Sequence, residues 1–268
     1  MSARGVLGAA PGDEVHIVVL RAMPEIVPGD DLPGMLSAAA VDAGLAPGDV
    51  LAVAHKVVSK AEGRVVRLGD VVPGAAARRL ADETGKDPAL CEVILGESRK
   101  VVRRRRSLVV CETHHGFICA NAGVDASNTP DGTVVLLPLD PDASARGIQH
   151  VLSQAAGGRV GVVITDTHGR AFRRGLVNVA VGVAGFDPVV DHRGGRDREG
   201  RMLVATDQAL GDEIAAAAGM LIGKSSGRPA ALVRGLVTAP APGTLRDLVR
   251  REDQDVFRAR VDDDGVVI

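Results

Sequence analysis

Residues 162–185 read VVITDTHGRAFRRGLVNVAVGVAG. The stretch opens as an apolar run, meets an acidic–hydroxyl pair at Asp166 and Thr167, passes through HGRAFRRG with its three arginines, and resumes as a second β-rich run. A carboxylate and a hydroxyl at a strand end are hard oxygen donors of the kind that hold a divalent cation. Guanidinium groups just beyond can face phosphate or carboxylate oxygens. Taken alone, the pair reads equally well as part of a turn, so a site here needs groups from elsewhere in the chain.

The totals narrow the field. A chain of 268 residues makes one large domain or two small ones, with a core that needs no staples. A net charge of -2 and a hydrophobic fraction of 46% give no bulk electrostatic reason to bind nucleic acid or an anionic membrane. The apolar runs are far shorter than the roughly 20 residues that span a bilayer. The first 14 residues lack the long apolar segment of a secretory signal, so the expectation is a cytoplasmic protein. Cys91, Cys111 and Cys119 are odd in number and form no CxxC, which reads as reduced, buried thiols and not a disulfide frame or a zinc site. With four Phe and no Trp or Tyr, the core must be built from Val, Leu, Ile and Ala, and base-stacking platforms are nearly impossible to make.

Along the chain, strands are expected at 15–20, 50–54, 134–138 and 230–235, and a β-hairpin over 107–121 that turns at HHG. Helices are expected over 32–44, with Asp30 or Asp31 as cap and Gly44 as stop, and over 74–85 and 88 to about 100. Further helices are read over 140–158 (capped by Asp140 or Asp142), from Thr206 onward, and briefly near TLRDLVRRE. The alternation of strand and helix is too irregular to insist on a doubly wound sheet. Residues 1–14 read as a flexible N-terminus and 258–268 as a polar tail.

Several segments carry charge that chemistry could use. GVDASN places Asp125 and Asn128 in a loop after a strand, where they either satisfy their own backbone or serve a ligand. With Asp166, Asp125 would give two carboxylates, which suits Mg²⁺, a cation that completes its shell with water and phosphate oxygens. Lys56 and Lys60 are four apart; a helical turn puts them on one face, although the flanking valines leave a strand or turn open. The six basic residues within 99–106 read first as a solvated face, His114-His115 as surface, and His168 as a neighbour of Asp166. GMLIGKSS (219–226) looks like a phosphate-binding loop, but its first glycine is one residue too close and it ends a helix where such a loop opens one. It is read as a helix C-cap. No nucleophile elbow, dinucleotide fingerprint or Cys-His metal spacing is present, which leaves metal-assisted chemistry on a phosphorylated ligand.

Six motifs, in order, carry a resemblance: LRAMPEIVPGDD, AHKVVSKAEGR, GFICANAGVDASN, LPLDPDASA, VVITDTHGRAFRRG and DEIAAAAGMLIGK. Together they resemble the coenzyme F420-0:L-glutamate ligases, the γ-glutamyl ligases of deazaflavin coenzyme biosynthesis, from about residue 15 to 257. The resemblance implies a family-specific α+β fold, mixed sheet and helix in two subdomains, that is neither P-loop nor ATP-grasp. It implies a homodimer that uses GTP, Mg²⁺ or Mn²⁺, and K⁺ to join L-glutamate to F420-0. It also implies an acyl-phosphate intermediate, release of GDP and phosphate, and extension of the product, F420-1, into a γ-linked tail. The alternatives are a non-catalytic nucleotide- or deazaflavin-binding relative and a ligase of the same mechanism acting on another carboxylate.

Residue by residue, the resemblance makes Met23, Pro24, Glu25 and Ile26 a nucleotide-contacting loop. Lys60 becomes a nucleotide-binding lysine, Asn128 a nucleotide-binding asparagine, and Asp125, Asp166 and Thr167 metal ligands. Thr206 and Gln208 fall where late nucleotide contacts are expected. His55, where relatives commonly carry Ser or Gln, joins the nucleotide contacts. Lys60, Asp125 and Asp166 are the catalytic group. Arg170, Arg173 and Arg174 are candidates for holding a substrate anion by guanidinium geometry alone.

Overall fold

The computed structural model describes residues 14–21, 23–224 and 226–255. The flexible segment expected at 1–14 falls, apart from Glu14, outside the described residues, as does the tail expected at 258–268. In chain order the elements are β1 (His16–Val19), α1 (Leu32–Asp42), β2 (Val50–Ala54), α2 (His55–Ala61), β3 (Val65–Arg67), α3 (Ala75–Thr84), α4 (Pro88–Gly96), β4 (Ser98–Arg105) and β5 (Leu108–Thr113). There follow β6 (Ile118–Ala120), β7 (Thr133–Val135), α5 (Pro141–Ala156), β8 (Gly161–Arg170), β9 (Arg173–Ala184), β10 (Val190–Asp191), β11 (Asp207–Gln208), α6 (Leu210–Ile222) and β12 (Ala230–Arg234). This is an α+β fold with strands of mixed direction. The described residues divide into two compact units, one within 14–67 and 125–245, the other within 68–124 and 246–255.

The first unit is built on a five-stranded sheet of order β1-β12-β2-β8-β9. Only β2 and β8 run parallel; every other neighbouring pair in it is antiparallel. Val50, Leu51, Ala52 and Val53 point alternately to the two faces, yet all are 0% exposed, so both faces of β2 are covered. Helix α5 lies on β8 and β9 and packs against α1, while α6 lies on β9 and β12. Asp31 caps α1 by accepting from the Gly34 N–H, and Asp140 caps α5 by accepting from the Ala143 N–H. Asp142, the other capping candidate, instead accepts from the N–H groups of Val183 and Leu245. The core is aliphatic as the composition requires, and Phe186 is the largest fully buried side chain among the described residues.

Residues 162–185 form a long antiparallel hairpin of β8 and β9. Asp166 and Thr167 therefore lie inside a strand and not at its end, a correction with a simple cause: the ladder continues to Arg170, because β9 offers partners along its whole length. The register slips by one residue between Ile164 and Thr165, a β-bulge.

In the second unit α3 and α4 pack together beside a sheet of order β4-β5-β6, which contains the expected 107–121 hairpin. The helix expected to reach about residue 100 stops at Gly96, and the basic run 99–106 is edge strand β4 with its turn. Charged side chains along an edge discourage pairing with another chain. Cys91, Cys111 and Cys119 are free and buried, and burial pushes the thiols of Cys91 and Cys111 up. His115, expected at the surface, is half-buried and stacks on Phe117 at 5.5 Å. The helix expected from Thr206 begins at Leu210, because Asp207 and Gln208 pair with β10 as strand β11.

Hairpin and helix meet at Gly182, where an added Cβ would lie 2.6 Å from the Pro141 carbonyl oxygen. Gly182→Ala is expected to destabilise the fold by about 1–3 kcal/mol through overpacking at the start of α5. Urea unfolding of both proteins measures it, and an unchanged midpoint would mean the close approach is not a constraint.

Candidate active site

The parallel pair β2–β8 sets the site. Its register places Ala54, the last residue of β2, opposite Thr165, so His55 at the start of α2 lies beside Asp166 on β8. Ligands of open sheets commonly bind beyond the carboxyl ends of parallel strands. Here a cleft of about 360 Å³ opens at that point, within the size range of small-molecule sites.

Four other segments close it. Met23, Pro24, Glu25 and Ile26 form one wall. Helix α2 follows β2 directly, and its four-residue spacing brings Lys56 and Lys60 to the same side. The helical alternative for this stretch is the one realised. Lys56 Nζ stands 2.8 Å from Asp125 Oδ2 and donates to the Ser127 carbonyl at 2.9 Å. Lys60 pairs with Glu25 and donates to the Asn128 carbonyl at 3.2 Å. The loop is folded locally as well: Asp125 Oδ1 accepts from the Ser127 N–H, and Asn128 adopts a left-handed φ of 56°. Asp125 thus satisfies its own turn and also lines the cleft. Asn128 also donates through Nδ2 to the Lys224 carbonyl at 2.9 Å, which ties in the segment after α6.

Asp166 is the most constrained carboxylate of the site. Its side chain is 12% exposed, His55 Nε2 lies 3.3 Å from Oδ1, and His168 Nε2 lies 3.2 Å from Oδ2. Burial alone would raise its carboxyl, but the charges and hydrogen bonds of the two imidazoles outweigh that and hold it well below the usual carboxylate range. Burial likewise opposes ionisation of Asp125, and Lys56 with the Ser127 N–H outweighs it, holding that carboxyl down. Both groups are ionised at neutral pH, as a cation requires. Two ionised carboxylates and the Thr167 hydroxyl are an all-oxygen set that fits a hard divalent cation. Among the described residues no group of three His, Cys, Asp or Glu forms a metal cage, so such a cation would draw its remaining ligands from water and the bound ligand.

Of the residues expected to bind nucleotide or metal, all but Thr206 and Gln208 line this cleft. Thr206 accepts from the His192 N–H through its carbonyl, and the Gln208 side chain bonds His192 and Glu213. His55, expected as a nucleotide contact, is 2% exposed and sits against Asp166 and Ser59. Arg170, Arg173 and Arg174 stand at the hairpin tip, away from the lining; Arg170 donates to the Arg174 carbonyl at 2.8 Å.

The sequence reading missed Asn178 and the segment 222–229, which contributes Lys224, Ser226 and Arg228 to the lining. Gly223 ends α6, as the rejection of a P-loop requires. The signal for the rest was in that same GMLIGKSS motif: a lysine and hydroxyls beside glycines suit an anion in any fold, and Gly223 and Gly227 both have left-handed φ. Across the lining four cations (Lys56, Lys60, Lys224, Arg228) face three carboxylates (Glu25, Asp125, Asp166).

Comparison with known proteins points to one family. The family model described as F420-0:Gamma-glutamyl ligase matches residues 21–235. The chain is 43% identical over 249 residues to a protein of Methanothermobacter thermautotrophicus named Coenzyme F420:L-glutamate ligase, covering 91% of this chain and 99% of that protein. It is 46% identical over 257 residues to the protein of the same name from Methanopyrus kandleri, covering 94% and 100%. For that of Archaeoglobus fulgidus the identity is 40% over 245 residues, covering 91% and 96%.

The Lys56–Asp125 pair makes its own prediction. Removing the cation in Lys56→Met takes away the main group that opposes burial, so the Asp125 carboxyl is expected to titrate higher than in the wild type. Carboxyl ¹³C shifts followed through an acid titration measure it, and an unmoved midpoint would deny the coupling.

Proposed function

The chain belongs to the F420-0:gamma-glutamyl ligase family, and on that premise we propose that it joins L-glutamate to coenzyme F420-0 at the expense of GTP. The observation that carries this reading is the convergence of two ionised carboxylates, Asp125 and Asp166, with four cationic side chains in one cleft. A polyphosphate and its counter-cation need that mixture; a purely apolar ligand does not.

A carboxylate is a poor acyl donor, because its oxygen would have to leave as oxide. In the proposed reaction the F420-0 carboxylate attacks the γ-phosphorus of GTP, the bond to the β-phosphate oxygen breaks, and GDP leaves. The glutamate amine then attacks the acyl carbon, the acyl–phosphate bond breaks, and phosphate leaves with the amine losing a proton. Lys60 and Lys56 supply fixed positive charge along the phosphates, with Lys224 and Arg228 on the facing segment. Met23, Pro24, Glu25, Ile26 and Asn128 bound the rest of the nucleotide's space, and His55 supports Asp166 from behind. Mg²⁺ or Mn²⁺ held by Asp125, Asp166 and Thr167 would neutralise charge on the transferring group. Nothing in the scheme needs a protein nucleophile. K⁺ assists, and repeated cycles on F420-1 extend a γ-linked tail.

A homodimer in the cytoplasm completes the proposal. Phe172 and Leu176 on the hairpin arm are 81% and 63% exposed, apolar surface of the sort an assembly covers. Among the described residues no helix is long and apolar enough to cross a membrane.

The test is incubation with F420-0, L-glutamate, GTP and Mg²⁺ or Mn²⁺, read by mass spectrometry and by GDP release. A glutamyl increment stoichiometric with GDP is the expected result; binding of F420-0 or GTP without turnover would replace it with a binding role. Asp166→Asn is expected to lower turnover by about 10²-fold or more, since it removes an anionic ligand from the site of charge development. Near-normal activity of that variant at low metal would sink the assignment.

A further inference from the structure

Thr167 and Asn178 are cross-strand partners in the β8–β9 hairpin. The β-bulge between Ile164 and Thr165 creates that pairing: with the register of Val162, Val163 and Ile164 continued unbroken, Thr167 would face Val179. In the observed register the Thr167 hydroxyl donates its proton to Asn178 Oδ1 at 3.0 Å. A hydroxyl has one proton and two lone pairs, so once the proton is committed to Asn178 the oxygen has only lone pairs left to offer. That is the state in which it can ligate a cation. Asn178 itself lines the cleft beside Thr167.

The amide is also held from behind. Gly219 on α6 has no side chain where it passes Asn178, and a Cβ there would lie 2.9 Å from both Cγ and Nδ2 of the amide. The gap left by that glycine is therefore the space the Asn178 amide occupies. Asp166, one residue before Thr167, is fixed in parallel by His55 and His168. The Thr167 hydroxyl is held by Asn178.

We propose that Asn178, seated against Gly219, is a positioning residue that orients the Thr167 hydroxyl toward a divalent cation in the cleft. The proposal rests on the metal assignment made above. Groups that hold a ligand in orientation commonly change metal affinity by about 10- to 100-fold when removed. Asn178→Ala frees the hydroxyl to rotate, and Gly219→Ala displaces the amide without deleting any polar group, while raising the helix propensity of α6. Asn178→Asp keeps an acceptor oxygen in place.

The experiment is direct titration of Mn²⁺ into the whole chain, with and without GDP, with free Mn²⁺ read by its paramagnetic resonance signal and folding checked by thermal melting. Wild type is expected to bind; Asn178→Ala and Gly219→Ala are expected to bind about 10-fold more weakly or worse; Asn178→Asp is expected to bind at least as tightly as wild type. In turnover the two weak variants should recover toward wild-type rate as Mn²⁺ is raised, a dependence that general loss of packing would not show. Equal Mn²⁺ affinity in wild type and both weak variants overturns the role of Asn178. Failure of the wild type itself to bind Mn²⁺ overturns the metal assignment instead, and the two results are distinct.

Discussion

The parallel pairing of β2 with β8 is the constraint from which the site follows. It is the one parallel contact in an otherwise antiparallel sheet, and it makes the two strands point the same way, with β2 ending beside the middle of β8. Because Ala54 and Thr165 are in register, His55 at the start of α2 and Asp166 on β8 are neighbours. Helix α2 then starts at once, so its lysines reach the GVDASN loop, and β8 runs on into the hairpin that carries Thr167. A slip of one residue in that pairing would move every β2 side chain to the other covered face and take His55 out of line with Asp166.

The second constraint is electrostatic. Asp166 is nearly buried, and a buried carboxylate is tolerable only with compensation. Two imidazoles provide it, one of them itself 2% exposed. Asp125 is compensated by Lys56 and by the turn it closes. Lys60 is compensated by Glu25. The charges of the cleft thus form linked pairs contributed by segments far apart in sequence, and the loops carrying them are positioned by those pairs.

Much of this was legible in the residues. The aliphatic strands at 50–54 and 230–235, the capped helices at 32 and 140, and the 107–121 hairpin all carried local signals, and local signals survived folding. What was not legible is long-range. Nothing in VVITDTHGR says that the strand continues past Asp166, because that depends on partners supplied by β9. The bulge that sets Asn178 opposite Thr167 is likewise a property of two strands, invisible in either. Residues 99–100 and 206–208 were read as helix from local pattern, and strand pairing overrode it. The order of strands in the sheet could not be read at all, although the residues that gather at its cleft could, because their motifs were already recognisable one by one.

Lys56 and Lys60 are engaged by internal carboxylates before any ligand arrives. An anion that engages either of these two lysines must therefore exchange with a partner already in place. A singly charged anion that takes a lysine from a carboxylate gains little, since it breaks one contact to make one. A multiply charged anion that arrives with a cation is different: it can engage several basic groups while the cation accepts the carboxylates they release. At Lys56 and Lys60 the internal pairs therefore favour a polyanion that brings its own counter-charge over a simple salt anion.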